Sequence, residues 1–195
     1  SMTEDISNYL KFKNISKVDM LGHSMGGNLA IYISNKTPNI LNKIVIVDIV
    51  PKKYKNVHKD ILSGLKSIDF NLIGSRREAD DKLSSYISDE RVRHFLLKNL
   101  YWKSEHKLGF RFNLDVLYDY SKNSITNKFE NPISFKGPAL FLHGKSSNYV
   151  NEKDYELINY HYNNASIIKV PNSGHWLHAD NPDFFLEKTI NFLNS

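Results

Sequence analysis

Ser24 lies between glycines in Gly22-His23-Ser24-Met25-Gly26-Gly27, and His175 follows one in Pro171-Asn172-Ser173-Gly174-His175-Trp176. A serine hydroxyl is a poor nucleophile until a base takes its proton, and imidazole is the side chain suited to that exchange near neutral pH. The chain contains no cysteine, so thiolate nucleophiles, disulfides and cysteine-bound metals are excluded. What remains is hydroxyl, imidazole and carboxylate chemistry: Ser24 attacks an acyl carbonyl, His175 shuttles the proton, and a carboxylate orients His175. Of the eight histidines, His175 is singled out because it follows the last strand pattern and precedes the last helix, as the order serine, acid, histidine requires. His175 and His178 stand three apart without a His-Glu-x-x-His zinc signature, so no metal ligand set is expected. No cofactor is expected either.

These groups need elements that hold them in place. Val18-Asp19-Met20-Leu21 reads as a short buried strand that Gly22 ends, after a helical face over Asp5 to Lys13. A second helix opens at Gly26-Gly27 and stops before Pro38, because the residue ahead of proline is pushed out of the helical region. Between the two, a tight turn demands small flanking residues and holds Ser24 in a strained backbone. The N–H of Met25, at the helix start, can face a developing oxyanion. His23 and Trp176 are the expected substrate contacts.

The continuous apolar run Ile44-Val45-Ile46-Val47 reads as a parallel strand buried on both faces, with Asp48 at its tip. The segment after the next strand, Leu142-His143-Gly144-Lys145-Ser146-Ser147-Asn148-Tyr149-Val150, carries no acid before Glu152. Neighbouring parallel strands end close together, so Asp48 can reach the same point and is the expected third member, with Asp154 or Glu152 as alternatives. Ser146 and Ser147 are expected to be secondary neighbours of the imidazole at most. Ala139 to Leu142 and Ile167 to Val170 give two more strands, with a helix from Glu152 to His161 between them. Asn181 caps a terminal helix with Pro182 in its first turn. Alternating strands and helices imply a layered α/β sheet, mostly parallel. From Lys52 to about Asn131 the patterns are helical, as in Val92, Phe95, Leu96 and Leu100, with no strand alternation. The expected organisation is a core part over residues 1–51, a helical cap over 52–131, and a second core part over 132–195.

The composition fits one ordinary soluble domain: 195 residues, 41% hydrophobic and 24% charged. No apolar run reaches the ~20 residues of a membrane helix, so no membrane partner is expected. The net charge of +5 comes from lysines scattered among acids, which argues for a solvated surface and against a nucleic-acid partner. A denser group, Lys52, Lys53, Lys55, His58 and Lys59, could meet an anionic substrate. Ser1-Met2 looks like a tag scar, and localisation is left open.

At these residues the sequence resembles the α/β-hydrolase superfamily, and within it the YbfF-type bacterial esterases with their mitochondrial abhydrolase relatives in eukaryotes. The resemblance rests on Leu21 to Gly27, on Val47-Asp48-Ile49-Val50-Pro51, on Phe95 to Leu100 with Phe110-Arg111-Phe112-Asn113, and on Gly174 to Pro182. It implies hydrolysis of short or medium acyl esters or acyl-CoA thioesters, with Asp48 matching the acid that this branch places after the strand following the nucleophile. In complete members, further strands precede the nucleophile strand, and a His-Gly loop among them supplies a second oxyanion N–H. The chain therefore resembles the C-terminal part of that fold, with one oxyanion donor missing and a sheet edge uncovered. From this follow two expectations: a homodimer built across that edge, and, as a rival to catalysis, a module that binds an acyl ligand or a partner without turning it over.

Overall fold

The computed structural model of the chain describes residues 2–54, 59–122, 129 and 131–195. It divides into two compact units, Ser1–Lys52 with Asn127–Ser195, and Lys53–Thr126.

The first unit is built on a four-stranded parallel sheet. Its strands are β1 (Val18–His23), β2 (Leu41–Val47), β5 (Ala139–Gly144) and β6 (Ala165–Val170), hydrogen-bonded in that spatial order. The two central strands explain the sequence pattern directly. Every residue of β5 and the last four of β2 are buried, because helices cover both faces of a parallel sheet. On one face Val45, Val47, Leu140, Leu142 and Val170 meet Leu177 of α8 (Leu177–Asp180) and Phe184, Phe185, Phe192 and Leu193 of α9 (Pro182–Asn194). On the other, Ile46 faces Gly27 of α2 (Met25–Lys36). There too Phe141 meets Tyr162 edge to face, ring centres 5.2 Å apart, just beyond α7 (Tyr155–His161). The Tyr162 hydroxyl is satisfied inside the core by Ser34 of α2 at 2.8 Å, as a buried phenol must be.

Chain ends of the helices follow their capping residues. Asn181 Oδ1 accepts from Phe184 N–H with Pro182 in the first turn of α9. At the far end, Lys43 Nζ donates to the carbonyls of Phe192, Leu193 and Ser195, at 2.9 to 3.0 Å, a cation placed where the helix dipole is negative. The first helix, α1, spans Met2–Phe12, three residues earlier at its start than its apolar pattern suggested. β1 also runs two residues past Leu21, through Gly22 and His23, so the turn begins at Ser24.

Among the described residues β1 has a partner only on its β2 side. Such an edge can template association. Nothing else described in the chain supports the expected two-fold dimer, and that expectation rests on the open edge alone.

The second unit contains α3 (Lys59–Lys66), α4 (Arg76–Ser84), α5 (Glu90–Leu97) and α6 (Leu114–Lys122) around its own core of Leu65, Ile68, Ala79, Leu83, Ile87, Leu97 and Leu100. It is not wholly helical. β3 (Leu100–Ser104) and β4 (Lys107–Phe110) form an antiparallel hairpin, which corrects the expectation of no strand here. Leu100 continues the i, i+4 spacing from Leu96 and so mimics a helical position. Each strand is too short to show alternation, and Glu105-His106 offers none of the glycine or asparagine that advertises a two-residue turn. Of the basic group, Lys55 and His58 lie outside the described residues, while Lys52 pairs with Asp154 at 2.6 Å. No described helix is long and apolar enough to cross a membrane.

Candidate active site

Register brings Ser24 and Asp48 together. His23, the last residue of β1, pairs with Val47, the last of β2, so the next residues, Ser24 and Asp48, leave the sheet side by side. The Ser24 N–H donates to Val47 O at 3.0 Å, and the Asp48 N–H to Leu142 O at 2.7 Å. Both residues have positive φ, 53° in each case, a conformation that costs a non-glycine residue free energy and persists only where its surroundings impose it. At Ser24 the imposing feature is backbone proximity. A Cβ on Gly22 would lie 2.2 Å from Gly26 O and 2.7 Å from Gly27 N, and one on Gly27 would lie 2.4 Å from Ile49 Cγ2, whereas one on Gly26 would meet nothing within 4 Å. The turn therefore needs glycine for close approach at Gly22 and Gly27, and the second flanking glycine of the Gly-x-Ser-x-Gly pattern, Gly26, is spatially free.

Met25 opens α2 directly after this turn. Its N–H is among the first of the helix, which have no acceptor within it, and its side chain is exposed.

The third group arrives from the loop after β6. His175 Nδ1 lies 2.7 Å from Asp48 Oδ2, and Asp48 is fully buried. The same carboxylate accepts from Gly144 N–H through Oδ1 at 3.1 Å, and through Oδ2 from the Ser147 hydroxyl in a short contact. Three donors thus hold one buried carboxylate. That satisfies its oxygens and assigns the Nδ1 proton to His175, which leaves Nε2 with its lone pair.

The His175 loop is tied from several sides. The Pro171 carbonyl accepts from Asn181 Nδ2 at 2.9 Å, Gly174 N–H donates to Asp180 Oδ2 at 2.9 Å, and Ser146 N–H donates to Ser173 O at 2.8 Å. The loops after β5 and β6 approach so closely that a Cβ on Gly144 would lie 2.1 Å from Gly174 O.

His23, expected to touch the substrate, faces the His175 loop. Its Nε2 faces the His175 carbonyl at 2.8 Å, and its ring centre lies 4.7 Å from that of His175 and 4.9 Å from that of His178. Burial lowers its pKa, against a smaller opposing effect of the bond to His175 O. A neutral His23 with its proton on Nε2 fastens the His175 loop, and this nitrogen is no longer available to a ligand. Trp176 is half-buried beside it, ring centres 6.3 Å apart.

The alternative acids are engaged elsewhere. Asp154 takes Lys52 and the Asn151 N–H, and Glu152 pairs with Lys169. The expected helix from Glu152 begins with a 3-10 turn, Glu152–Asp154, capped by Asn151. Ser147 touches the carboxylate and not the imidazole. The residue that sequence reasoning passed over is Tyr149, whose ring stacks on that of His175 with centres 3.9 Å apart and planes 18° from parallel. Nothing in the spacing of the loop after β5 marks an aromatic as a neighbour of His175.

A cleft of about 450 Å³ is lined by Ser147 together with His143, Lys145, Asn151 and Lys169, and by none of Ser24, Asp48 or His175. Among the described residues no group of three histidine, aspartate or glutamate side chains is placed to hold a metal ion.

Comparison with known proteins agrees with this architecture. The family profile described as the alpha/beta hydrolase fold matches residues 1–182. The chain is 34% identical over 200 residues to the sn-1-specific diacylglycerol lipase ABHD11 of Danio rerio, covering 99% of this chain and 62% of that protein. It is 28% identical over 195 residues to esterase YbfF of Escherichia coli, covering all of this chain and 74% of that one. A solved structure, a marine microorganism esterase, superposes with a TM-score of 0.89 at 36% identity over 98% of this chain and 76% of its own. The chain spans about two thirds of the length of the curated relatives it matches.

Proposed function

The chain belongs to the α/β-hydrolase fold family, and on that premise we propose that it is a serine hydrolase cleaving carboxylic esters or acyl thioesters through an acyl-enzyme on Ser24. Ser24 Oγ attacks the acyl carbonyl while His175 Nε2 takes its proton, and the imidazolium returns that proton to the leaving alcohol or thiol. Asp48 holds Nδ1–H and stabilises the cation. Met25 N–H supports the oxyanion, and His23 and Trp176 flank the His175 loop. Esters are favoured as the substrate class, because the similar proteins are named as an esterase and a diacylglycerol lipase.

The observation that carries this reading is the 2.7 Å contact of His175 Nδ1 with the fully buried carboxylate of Asp48, which follows β2 where Ser24 follows the paired end of β1. A module that merely bound an acyl group would need neither a strained serine nor a buried charge. Both features cost stability, so they favour catalysis over the binding module.

A fluorophosphonate probe followed by peptide mass spectrometry tests it. Label is expected on Ser24, and Ser24→Ala is expected to lose both label and ester hydrolysis. Label on another residue, or hydrolysis that survives the substitution, overturns the assignment.

A further inference from the structure

We propose that Tyr149 is a positioning residue for His175: its ring face fixes the plane of the imidazole and stabilises the imidazolium formed as Ser24 is deprotonated. The proposal rests on the serine-hydrolase reading and assigns a role to the aromatic ring stacked on His175.

The geometry is built from β5 outward. The loop after Gly144 is anchored to the acid, since Gly144 N–H and the Ser147 hydroxyl both donate to Asp48. Tyr149 N–H then donates to Ser147 Oγ at 3.1 Å, and the next residue, Val150, is buried at 3% exposure. These two anchors hold the backbone of Tyr149, and its ring lies 3.9 Å from the imidazole at 18°.

A single hydrogen bond at Nδ1 fixes one atom of the imidazole and leaves a swing about that atom. A parallel ring against the imidazole face removes the out-of-plane part of that swing, so that Nε2 keeps its direction. His23 cannot do this alone, because its ring is tilted by 41° and its contact is with the His175 backbone. The stack also acts on charge. The face of an aromatic ring is electron-rich and attracts a cation, and His175 gains positive charge as it takes the serine proton. The interaction is therefore stronger in the transition state than in the free site, and removing it should lower kcat and leave KM in place. Burial, with a smaller contribution from Asp48, pushes the Tyr149 phenol up, so the ring stays neutral across the working range.

The test uses this chain with Tyr149→Phe and Tyr149→Leu, reading the rate of Ser24 acylation by a fluorophosphonate and kcat and KM for a short p-nitrophenyl ester. Phe keeps the face, and its rates should stay within about 3-fold of the parent. Leu keeps bulk without the face. It should lose about tenfold in kcat and in acylation rate with KM unchanged, the size expected for one stacked aromatic contact. Should the leucine variant fail to fold, Tyr149→Met reads the same loss. Independently of turnover, the His175 ring protons of the parent should show an upfield ring-current shift in NMR spectra that Tyr149→Phe preserves. Parent rates in the leucine variant, a phenylalanine variant as impaired as leucine, or no ring-current shift would each overturn the proposal. If the parent chain takes no label at Ser24, it is the serine-hydrolase reading that falls, and the NMR result still decides the stack.

Discussion

Asp48→Asn is the sharpest perturbation available, because it changes one buried atom and leaves the shape. The carboxylate accepts three donors: Gly144 N–H at Oδ1, and the Ser147 hydroxyl and His175 Nδ1–H at Oδ2. Asparagine can answer them in two orientations. With its oxygen toward Ser147 and His175, the amide nitrogen faces Gly144 N–H, donor against donor, in a site fully closed to water. That leaves a buried backbone group unpaired at about 1–3 kcal/mol. With its oxygen toward Gly144, the amide donates to Ser147, which rotates to accept, and to His175, which must now present a bare Nδ1. The second orientation leaves no buried backbone donor unpaired and is preferred by about 2 kcal/mol, but it moves the imidazole proton to Nε2, where the base can no longer accept from Ser24. That preference alone removes the working tautomer from all but about one molecule in 30. Loss of the buried charge that stabilises the imidazolium adds about 3 kcal/mol. Together these give about 5 kcal/mol, a rate loss on the order of 10⁴-fold. Initial rates on a p-nitrophenyl ester and acylation of Ser24 by a fluorophosphonate read the loss, 15N spectra of the imidazole read the tautomer, and thermal unfolding should move by only a few degrees. A variant that keeps a tenth of the parent rate, or one that retains the Nδ1–H tautomer, would refute the reasoning.

The turn makes a paired prediction. Gly22→Ala drives a Cβ into backbone 2.2 Å away and should cost roughly 3 kcal/mol or more in urea unfolding, while Gly26→Ala, with open space, should be neutral or stabilising by up to about 1 kcal/mol; equal effects would mean that conformation and not proximity sets the glycines. Stability should also depend on pH. His23, His143 and His161 have pKa values lowered chiefly by burial, so the unfolded chain binds protons first as pH falls below the ordinary 6.5. Their contribution is intact above that value and is lost as pH drops through the folded values, and urea midpoints that stay level from pH 7.5 to 5 would contradict it.

What could be read from the sequence follows the reach of each interaction. β2 and β5 were legible because burial on both faces leaves an unbroken apolar run, and α9 because Asn181, Pro182 and two rows of apolar residues all lie within one helix. Ser24 and His175 were legible as positions in an order of strands, and Asp48 as the tip of the strand that ends beside Ser24, since the acid-free loop after β5 left a gap to be filled. The β3–β4 hairpin was hidden by strands of five and four residues, only about two periods each, with Leu100 standing where a helix would also place it.

Tyr149, Ser147 and the loop-fastening role of His23 were illegible for a different reason. Each depends on loops from separate strands meeting, as when Gly144 closes on the Gly174 carbonyl, and no local pattern encodes that approach. The acid-free loop after β5 nevertheless carries its own logic. In place of a carboxylate, that loop carries a hydroxyl, Ser147, that donates to Asp48 and, two residues on, a ring, Tyr149, that stacks on His175. A carboxylate at Ser147 would set two like charges against each other in one buried site, raising the pKa of one. With the acid on β2, the loop after β5 is left to supply a donor and a face.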